Sequence, residues 1–469
     1  MASKNTLKLM LIGLILSTCS IFQMGYSNAY VNTSMSEFKI FLNESFRSQD
    51  IPLTFNTYYW LWSGILNVWF IGFLLGTCIS IPITDIFGRK VGLIFANSLT
   101  SVSVIIMGTS IFIKSILLLI IGRILSALSA GIAMSSLIVF LQEIAPPNLR
   151  GTLSFYAELS FVLTNAIGAF GGMPIVFGSN LQLLIMLALI PSSIVTCLLF
   201  FLYETPIFLY SVKKNENDAL KSISFYHGTD SKAAQLEFLI SNSSEGQQKL
   251  SFQHFKDLFI ISYLRKGLIL GFLSLQLTCS IWPIIYYSAD FLMKANVSEK
   301  LSQLFSTIML IVSVVATFCG QCAVEKFSRR LLFISVSVIN ILALTLFWLF
   351  DQTRIYTNID NFKYGCVFAV FLHGTSYSFA TGPIAWFIEA ELIPVTHRLL
   401  AQTFCLSANH LSALILTSIT LPLYNIIGSY TILLLFVLPS SAALIWVYRY
   451  LPETKDKTSN EVIEMLKVD

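Results

Sequence analysis

The sequence predicts an all-α polytopic membrane protein with twelve transmembrane helices arranged in two six-helix bundles. Three observations lead to this prediction: the composition, the number of long apolar stretches, and a set of charged signatures found once in each half of the chain. Hydrophobic residues make up 55% of the 469 positions and charged residues only 12%, with a mean hydropathy of +0.75. Soluble globular domains carry about 25% charged residues, so this composition excludes a soluble globular chain.

Twelve stretches are long and apolar enough to cross a bilayer as helices, which takes about 20 residues. Six lie in the first half, at about 7–27, 60–82, 91–112, 115–142, 152–175 and 181–203. Six lie in the second half, at about 264–289, 302–324, 331–350, 362–388, 399–422 and 428–450. The predicted domains are an N-terminal bundle at 1–203, a linker at 204–263, a C-terminal bundle at 264–451 and a tail at 452–469.

The linker at 204–263 is the only sizeable polar segment of the chain. Apolar residues recur at helical spacing at 219–226 and 233–240, a pattern that predicts short amphipathic helices lying under the bundles. A solvated linker without such helices fits the same composition.

Charged signatures at the helix ends occur in both halves, roughly 240 to 250 residues apart. The paired positions are Asp85, Gly88 and Arg89 with Glu325, Ser328, Arg329 and Arg330, then Glu143 and Arg150 with Glu391 and Arg398, and finally Glu204 with Glu453. Internal duplication between apolar spans is typical of two-bundle transporters.

The basic residues of the short loops fall on one face, which the positive-inside rule makes cytoplasmic. Both termini are therefore predicted to be inside. We predict that the charged signatures pair across the cytoplasmic ends of the two bundles, as a gate that forms in one state and breaks in the other. An anchoring role is the simpler interpretation of a lone arginine, but the repetition favours the gate. Gly88 permits a tight turn, and Ser328 in the second copy predicts a less sharp one.

The loop at 28–59 is predicted to be exoplasmic and holds the sequon Asn43-Glu44-Ser45, so we predict glycosylation at Asn43. All eight cysteines lie in or at the ends of apolar spans, where buried small hydrophobic side chains are expected more than disulfides or metal ligands. The sequence contains no nucleotide-binding loop, metal cluster or catalytic triad. We therefore expect no enzyme activity, no cofactor, no bound metal and no nucleic-acid partner.

Polar side chains inside the spans mark a solute path, because they are costly in lipid unless they face protein or water. The candidates are Gln23, Glu158, Gln276, Ser313, Ser378, Trp386, Asn409 and His410. Amides and indoles suit a neutral, hydroxylated ligand, since they hydrogen-bond without imposing charge. Gly382 and Pro383 interrupt the tenth span, which predicts a hinge beside the site. Contacts between helices are the alternative role for each of these side chains.

These residues resemble the sugar porters of the major facilitator superfamily, and in particular the facilitative glucose transporters of animals. The similar segments are Phe22 to Tyr26 with Asn32, Gly88 to Lys90, Gly122-Arg123, Glu143 to Gly151, Tyr286 to Ser288, Gly382 to Phe387 with Glu391, and Pro452 to Lys455. The resemblance covers nearly the whole chain, and the motifs taken together are highly specific.

The resemblance implies a central sugar site lined by helices 5, 7, 8, 10 and 11. At that site Gln276, Trp386 and Asn409 match the family. Several other positions depart from its pattern: Glu158, Leu277, Trp282, Ser313, Ser378, His410 and Ala413. The transported solute is therefore expected to be a hexose or related polyol, with glucose itself less firmly indicated.

The resemblance also bears on coupling, since proton-linked relatives carry a carboxylate where this chain has Ser27. It therefore implies facilitative uniport by alternating access, in the plasma membrane, with the neutral solute and the bilayer as partners. Three alternatives stay open: a proton-linked carrier that uses Glu158, a solute sensor without flux, and a carrier of a cationic or other non-sugar solute. The sequence specifies no oligomeric state.

Overall fold

The computed structural model describes residues 4–47, 54–146, 149–228, 252–455 and 459–468, together with the isolated positions 235, 239 and 457. In this part of the chain the elements are helices joined by short turns, with no strand. An apolar helix satisfies all of its backbone hydrogen bonds internally, which is what a lipid environment requires.

Six long helices occupy the first half of the chain. They are helix 1 (Lys4–Thr33), helix 2 (Phe55–Phe87), helix 3 (Arg89–Phe112), helix 4 (Ile116–Ile144), helix 5 (Arg150–Gly171) and helix 6 (Leu181–Phe201). A short helix, Met35–Arg47, follows helix 1, and a π turn at Pro174–Gly178 follows helix 5. Helix 6 consists of two pieces, Leu181–Met186 and Leu189–Phe201.

Six long helices also occupy the second half. They are helix 7 (Ser262–Lys294), helix 8 (Glu299–Lys326), helix 9 (Arg329–Thr357), helix 10 (Lys363–Ser376, a π turn at Tyr377–Thr381, and Gly382–Leu392), helix 11 (Val395–Ile427) and helix 12 (Tyr430–Tyr450). Helix 7 is discontinuous between Ser262–Gln276 and Ile281–Lys294. Helix 12 contains a π turn at Leu433–Val437.

Each predicted apolar stretch coincides with one of these helices, although most helices extend several residues beyond the predicted ends. Among the described residues, ten helices are long and apolar enough to cross a membrane. The other two are helix 5 and helix 10, and helix 10 is divided into shorter pieces by its π turn. The π turn of helix 10 ends at Thr381, immediately before Gly382, and the hinge at Gly382 and Pro383 stays a prediction.

The chain divides into two compact units. The first contains Met1–Tyr30, Ser34–Pro52 and Val68–Gln248, and the second contains Val31–Thr33, Leu53–Asn67 and Lys249–Asp469. The second unit therefore includes the last turn of helix 1 and the start of helix 2, which the predicted domain limits place with the first half. The limits at 203 and 264 themselves stay a prediction.

Four shorter helices are described in the predicted linker and tail, of which the first is Pro206–Ser211. Glu216–His227 coincides with the first predicted amphipathic segment and belongs to the first unit. Its Tyr226 hydroxyl donates to the Tyr203 carbonyl at 2.7 Å, and its Ser222 hydroxyl donates to the Glu204 carbonyl at 2.7 Å. Phe252–Ile260 precedes helix 7. The predicted segment 233–240 lies outside the described residues except at 235 and 239. In the tail, Ser459–Val468 buries Val462 and Leu466.

Candidate functional site

The second unit holds a polar cluster inside its membrane helices, formed by Gln276, Cys279, Trp386, Asn409 and His410. Its first link is made where helix 7 is interrupted between Gln276 and Ile281. The Cys279 thiol, in this interruption, donates to Asn409 Oδ1 at 3.0 Å, and its sulfur also lies 3.4 Å from Gln276 Oε1, a second acceptor within reach of the same hydrogen. Cys279 therefore joins helix 7 to helix 11 and orients two of the predicted site residues.

The second link of the polar cluster joins helix 10 to helix 11. The Trp386 ring meets the His410 ring edge to face, with centroids 6.3 Å apart and planes inclined at 67°. Nδ1 of His410 lies 2.7 Å from the Leu406 carbonyl oxygen, so this nitrogen is the one that carries a hydrogen. Contact between the two rings fixes the direction of the indole N–H.

Two donors of the polar cluster have no acceptor. Trp386 Nε1 and Gln276 Nε2 are both buried without a hydrogen-bond partner among the described residues. Buried polar groups nearly always have a partner, so unused donors indicate a place for a ligand. A hydroxylated solute supplies the acceptors that both groups lack.

Ser313, Ser378 and Trp282 are buried in the same unit. Ser378 lies in the π turn of helix 10. That turn is held against helix 8 at Gly320, where an added Cβ would collide with the Phe379 carbonyl oxygen. Trp282 contacts Tyr286, with ring centroids 6.3 Å apart.

Gln23 and Glu158 are the predicted site residues of the first unit. Gln23 is 4% exposed, and its Nε2 donates to Ser126 Oγ at 3.1 Å. Gln23 Oε1 and Glu158 Oε1 are buried without a partner among the described residues. Gln23 thus keeps an amide oxygen, and Glu158 a carboxyl oxygen, available for a hydrogen bond inside the membrane helices.

The first charged cluster consists of Arg89, Glu143, Glu204 and Thr205. Arg89 pairs with Glu143 at 2.9 Å, and the Thr205 hydroxyl donates to the other oxygen of Glu143. Glu204 receives the backbone N–H of Lys90 at 2.9 Å and that of Thr205 at 2.9 Å. Glu204 therefore stabilises the N-terminus of helix 3, where the helix dipole favours a carboxylate.

The second charged cluster, Ser328, Arg329, Glu391 and Glu453, repeats this arrangement. Arg329 pairs with Glu391. Glu453 receives the backbone N–H groups of Arg329 at 3.0 Å and Arg330 at 3.2 Å, at the N-terminus of helix 9. Glu204 and Glu453 were expected to pair with basic side chains, but the structure places each at the N-terminus of its unit's third helix.

Gly88 and Ser328 occupy the same position, immediately before helices 3 and 9, but with different backbone conformations. Gly88 has φ 118°, a region that favours glycine, and a Cβ there would collide with the Glu204 carboxylate. Ser328 has φ −57°; its hydroxyl accepts the Leu331 N–H at 3.3 Å and donates to Glu453. The serine is thus an N-cap residue, which replaces the tight turn predicted from the glycine.

The remaining predicted gate residues lie around these clusters. Asp85 is largely exposed and lies 3.7 Å from Arg89. Glu325 is exposed and accepts from Gln321 at 3.4 Å, whereas Arg330 donates to the Tyr448 carbonyl at 2.8 Å. Arg398 is half-buried in the first turn of helix 11. The side chain of Arg150 lies outside the described residues, and pairing of these groups as a gate stays a prediction.

The equivalent carboxyls Glu204 and Glu453 differ in acidity. Burial raises the pKa of Glu204, and the backbone N–H groups of Lys90 and Thr205 only partly offset it. Burial acts in the same sense on Glu453, but hydrogen bonds from the Ser328 hydroxyl and three backbone N–H groups outweigh it and hold the pKa of Glu453 below its ordinary value. Glu204 therefore takes up a proton at higher pH than Glu453.

This difference predicts opposite pH profiles for Glu204→Gln and Glu453→Gln. Because its folded-state pKa is lowered, Glu453 stabilises the wild type above the unfolded pKa of about 4.3, and this contribution is lost as pH falls through the folded pKa. The pKa of Glu204 is higher in the folded protein than in the unfolded one. As pH falls between these two values, the folded state binds the proton first, so the wild type gains stability relative to Glu204→Gln. Thermal melts of the full-length chain from neutral to acid pH measure both. Parallel profiles for the two variants would contradict the assignment.

Contacts at the other end of helix 7 involve Asn32 of helix 1 and Asn67 of helix 2, and we call them the latch. The Asn32 amide donates to Ser288 Oγ at 2.8 Å and accepts from the Ala289 N–H at 3.1 Å. Asn67 donates to the Tyr287 hydroxyl at 3.4 Å and accepts from the Thr417 hydroxyl. The latch was not predicted from the sequence. Its signal is the pair of polar side chains, Asn32 and Asn67, inside or beside apolar spans.

Lys294 forms a second part of this latch. Its ammonium pairs with Asp290 at 2.8 Å, donates to Asn425 Oδ1 at 2.7 Å, and lies 5.3 Å and 4.9 Å from the ring centroids of Tyr59 and Tyr424. Cation–π and ionic contacts of this kind stabilise most when they are shielded from water. The charge has no counterpart in the first half, so the repeat could not reveal it.

Comparison with known proteins decides the family. The family described as "Sugar (and other) transporter" matches residues 12–466, almost the whole chain. The chain belongs to the Sugar (and other) transporter family. Human "Solute carrier family 2, facilitated glucose transporter member 5" is 28% identical to this sugar-transporter-family chain, over 97% of the chain and 91% of its own length. Mouse member 7 of that solute carrier family is 27% identical, over 94% of the chain and 87% of its own length.

Solved structures confirm the fold of this family member. The xylose transporter XylE from E. coli, in an inward-open conformation, has a TM-score of 0.76 at 17% identity, covering 98% of this chain and 99% of its own. A crystal structure described as a D-xylose-proton symporter has a TM-score of 0.72 at 16% identity, covering 96% and 99%. The predicted major facilitator fold, with twelve transmembrane helices in two bundles, is confirmed. The protein is an integral, multi-pass member of a transporter family, not of an enzyme family.

Proposed function

We propose that this protein carries a hexose or related polyol across a membrane by facilitative uniport through alternating access. The observation that carries the proposal is the polar cluster of the second unit. It presents two unused donors: Gln276 Nε2 on helix 7, beside the interruption of that helix, and Trp386 Nε1 on helix 10, after its π turn. Interrupted helices at mid-membrane are where major facilitator transporters and other carriers bind their solutes. The names of the animal relatives, facilitated glucose transporters, support a sugar as that solute.

Two sets of contacts suit the alternation that such transport needs. The charged clusters tie helix ends within each unit through Arg89–Glu143 and Arg329–Glu391, at the ends we propose to be cytoplasmic. The latch ties residues 31–33 and 53–67 to helices 7 and 11 at the proposed exoplasmic end. A carrier switches by forming one set of end contacts while it releases the other. The basic loops then lie on the cytoplasmic side together with both termini, and the membrane we propose is the plasma membrane.

The test is uptake of labelled D-glucose, D-xylose, a polyol and an organic cation into liposomes containing the purified protein. Flux of a sugar or polyol is the expected result. Binding of a sugar without flux would instead support a sensor, and flux of the cation alone would support a non-sugar carrier. A sugar gradient that drives proton movement, with loss of that movement in Glu158→Gln, would replace uniport with the proton-linked alternative.

Trp386→Phe is expected to weaken sugar transport by raising KM roughly three- to tenfold, the value of one lost hydrogen bond. Phenylalanine keeps an aromatic ring against His410 and removes only the N–H donor. Trp348→Phe is the matched control, because Trp348 Nε1 is also buried without a partner but lies in helix 9, outside the polar cluster. Equal changes of KM in the two variants would show that Trp386 does not contact the sugar.

A further inference from the structure

Glu389 is a buried carboxyl group that the proposed transport mechanism does not use. It lies in the Gly382–Leu392 piece of helix 10, three residues beyond Trp386. The residue is 2% exposed, and its Oε1 is buried without a hydrogen-bond partner. No ion pair among the described residues includes Glu389. A carboxylate buried without a cation is strongly destabilising, so the site favours the neutral acid.

Helix 7 is shaped to receive this side chain. Gly271 faces Glu389, and a Cβ built at Gly271 would lie 2.6 Å from Glu389 Cγ and 3.0 Å from its Cβ. The acid therefore fills a notch that only glycine leaves open. This contact joins the Ser262–Gln276 piece of helix 7 to the Gly382–Leu392 piece of helix 10, and each piece ends at the interruption in its helix.

The neighbour of Glu389 on helix 11 is Cys405, a neutral thiol. The Cys405 thiol donates to the Leu268 carbonyl oxygen at 3.4 Å. A thiol carries no positive charge, so Cys405 does not supply the cation that a buried carboxylate needs. The surroundings of Glu389 therefore favour its protonated, neutral form.

We infer that Glu389 is a proton-binding site, occupied while helices 7, 10 and 11 are packed together around it. When the Ser262–Gln276 and Gly382–Leu392 pieces separate, the notch at Gly271 opens and the acid meets water. A hydrated carboxyl group loses its proton near its ordinary pKa, and the anion then resists return to the notch. A low pH on the side from which water reaches Glu389 thus favours the packed arrangement, and a high pH on that side favours the separated one.

The proton enters and leaves on the side of the charged clusters, so it regulates the carrier without being carried. Glu391, two residues from Glu389, belongs to the second charged cluster at that end. The inference is therefore compatible with uniport. Helices 7, 10 and 11 also form the polar cluster. Proton binding and solute binding therefore shift the packing equilibrium of the same three helices, and two sites that shift one equilibrium are coupled.

Other titratable groups on the elements around Glu389 have partners of their own. These contacts are Lys266 of helix 7 to the Leu466 carbonyl, Arg329 of helix 9 to Glu391, His397 of helix 11 to Asp257, and Lys467 of the tail helix over the Tyr263 ring. Cys405 is the titratable side chain that the described structure places against Glu389. The carboxyl group consequently dominates the pH response of this site.

The first test measures the proton directly, by infrared difference spectroscopy of the full-length protein in lipid during a pH step. The wild type is expected to show a carbonyl band of a buried protonated acid that is lost in Glu389→Gln and kept in Glu158→Gln. If Glu389→Gln does not fold, Cys405→Ala is used, because it keeps the acid and must shift this carbonyl band by removing the neighbouring sulfur. An unchanged spectrum in these variants would overturn the inference. This test needs no sugar and stands even if the proposed transport function fails.

The second test rests on the proposed function and measures exchange of labelled sugar across liposomes at several pH values on the side of the charged clusters. Exchange is expected to slow with falling pH by up to roughly tenfold per unit, the limit for one linked proton, and to lose this dependence in Glu389→Gln. A pH-independent wild type, or a Glu389→Gln variant with the wild-type profile, would overturn the regulatory role. Absence of all sugar exchange would count against the proposed function instead.

Discussion

Arg89→Leu is expected to lower the free energy of unfolding by about 3 kcal/mol, the lower part of the range for breaking a buried ion pair. The side chains of Arg89 and Glu143 are only 13% and 12% exposed, so the substitution leaves a shielded carboxylate without its cation. Two other contacts of Arg89, with the Thr84 carbonyl at 3.0 Å and with Asp85, are lost as well. Denaturant or thermal unfolding of the protein in detergent measures the change.

The second unit supplies the matched comparison for this prediction. Arg329 and Glu391 make the equivalent pair, with both side chains 27% exposed. Water screens this pair more strongly, so Arg329→Leu is expected to cost about half as much. The double variant Arg89→Leu with Glu143→Leu should recover most of the loss, because no unpaired charge remains. Equal costs for the two arginines, or no recovery in the double variant, would refute this account.

Gly320→Ala is expected to destabilise the protein by about 3 kcal/mol, the upper part of the usual range for overpacking. The added methyl group meets the backbone carbonyl of Phe379, and backbone cannot move aside as a flexible side chain can. The strain falls on the π turn that holds Ser378, so sugar affinity is expected to fall together with stability. Melting temperature and uptake by the same preparation measure the two effects.

Gly64→Ala is the control, since nothing lies within 4 Å of a Cβ at Gly64. Gly64 is also in a membrane helix, helix 2, so both substitutions remove a glycine from the same kind of element. The control is expected to change the melting temperature little or to raise it, because alanine is the better helix former. A similar loss in both variants would show that loss of a helical glycine, rather than the contact with Phe379, causes the effect.

Hydropathy and repetition were sufficient to predict the helices and the presence of like charged motifs in both halves, whereas the predicted pairing of these motifs across the two bundles stays a prediction. Apolar stretches of bilayer length mark the twelve helices directly, because lipid leaves the backbone few other options. The repeat also identified Glu143 and Glu391 as the acids that stand near the helix-end arginines. It did not reveal that Glu204 and Glu453 lie at helix N-termini, because that contact joins residues 114 and 124 positions apart.

The polar cluster was predicted only in part. Gln276, Trp386, Asn409 and His410 were identified because polar groups are rare in apolar spans. Cys279 was interpreted as a small hydrophobic residue, and its role depends on the interruption of helix 7, which hydropathy does not show. Glu389 was not singled out, although a lone acid in an apolar span is a signal of the same kind. The latch was missed because Lys294 and Asn32 lie at span ends, where polar residues are ordinary.

The assignment of residues 31–33 and 53–67 to the second unit has a consequence for biosynthesis. These segments emerge from the ribosome with the first half, but their partners Ser288, Tyr287 and Thr417 are translated hundreds of residues later. The first six helices therefore enter the membrane with one corner unfinished: Asn32 has none of these later partners, and the Asn67 amide has only its hydrogen bonds with Ser63. Completion of that corner is a late step of folding, and a chaperone that shields polar groups in nascent membrane proteins would find its substrate at those two asparagines.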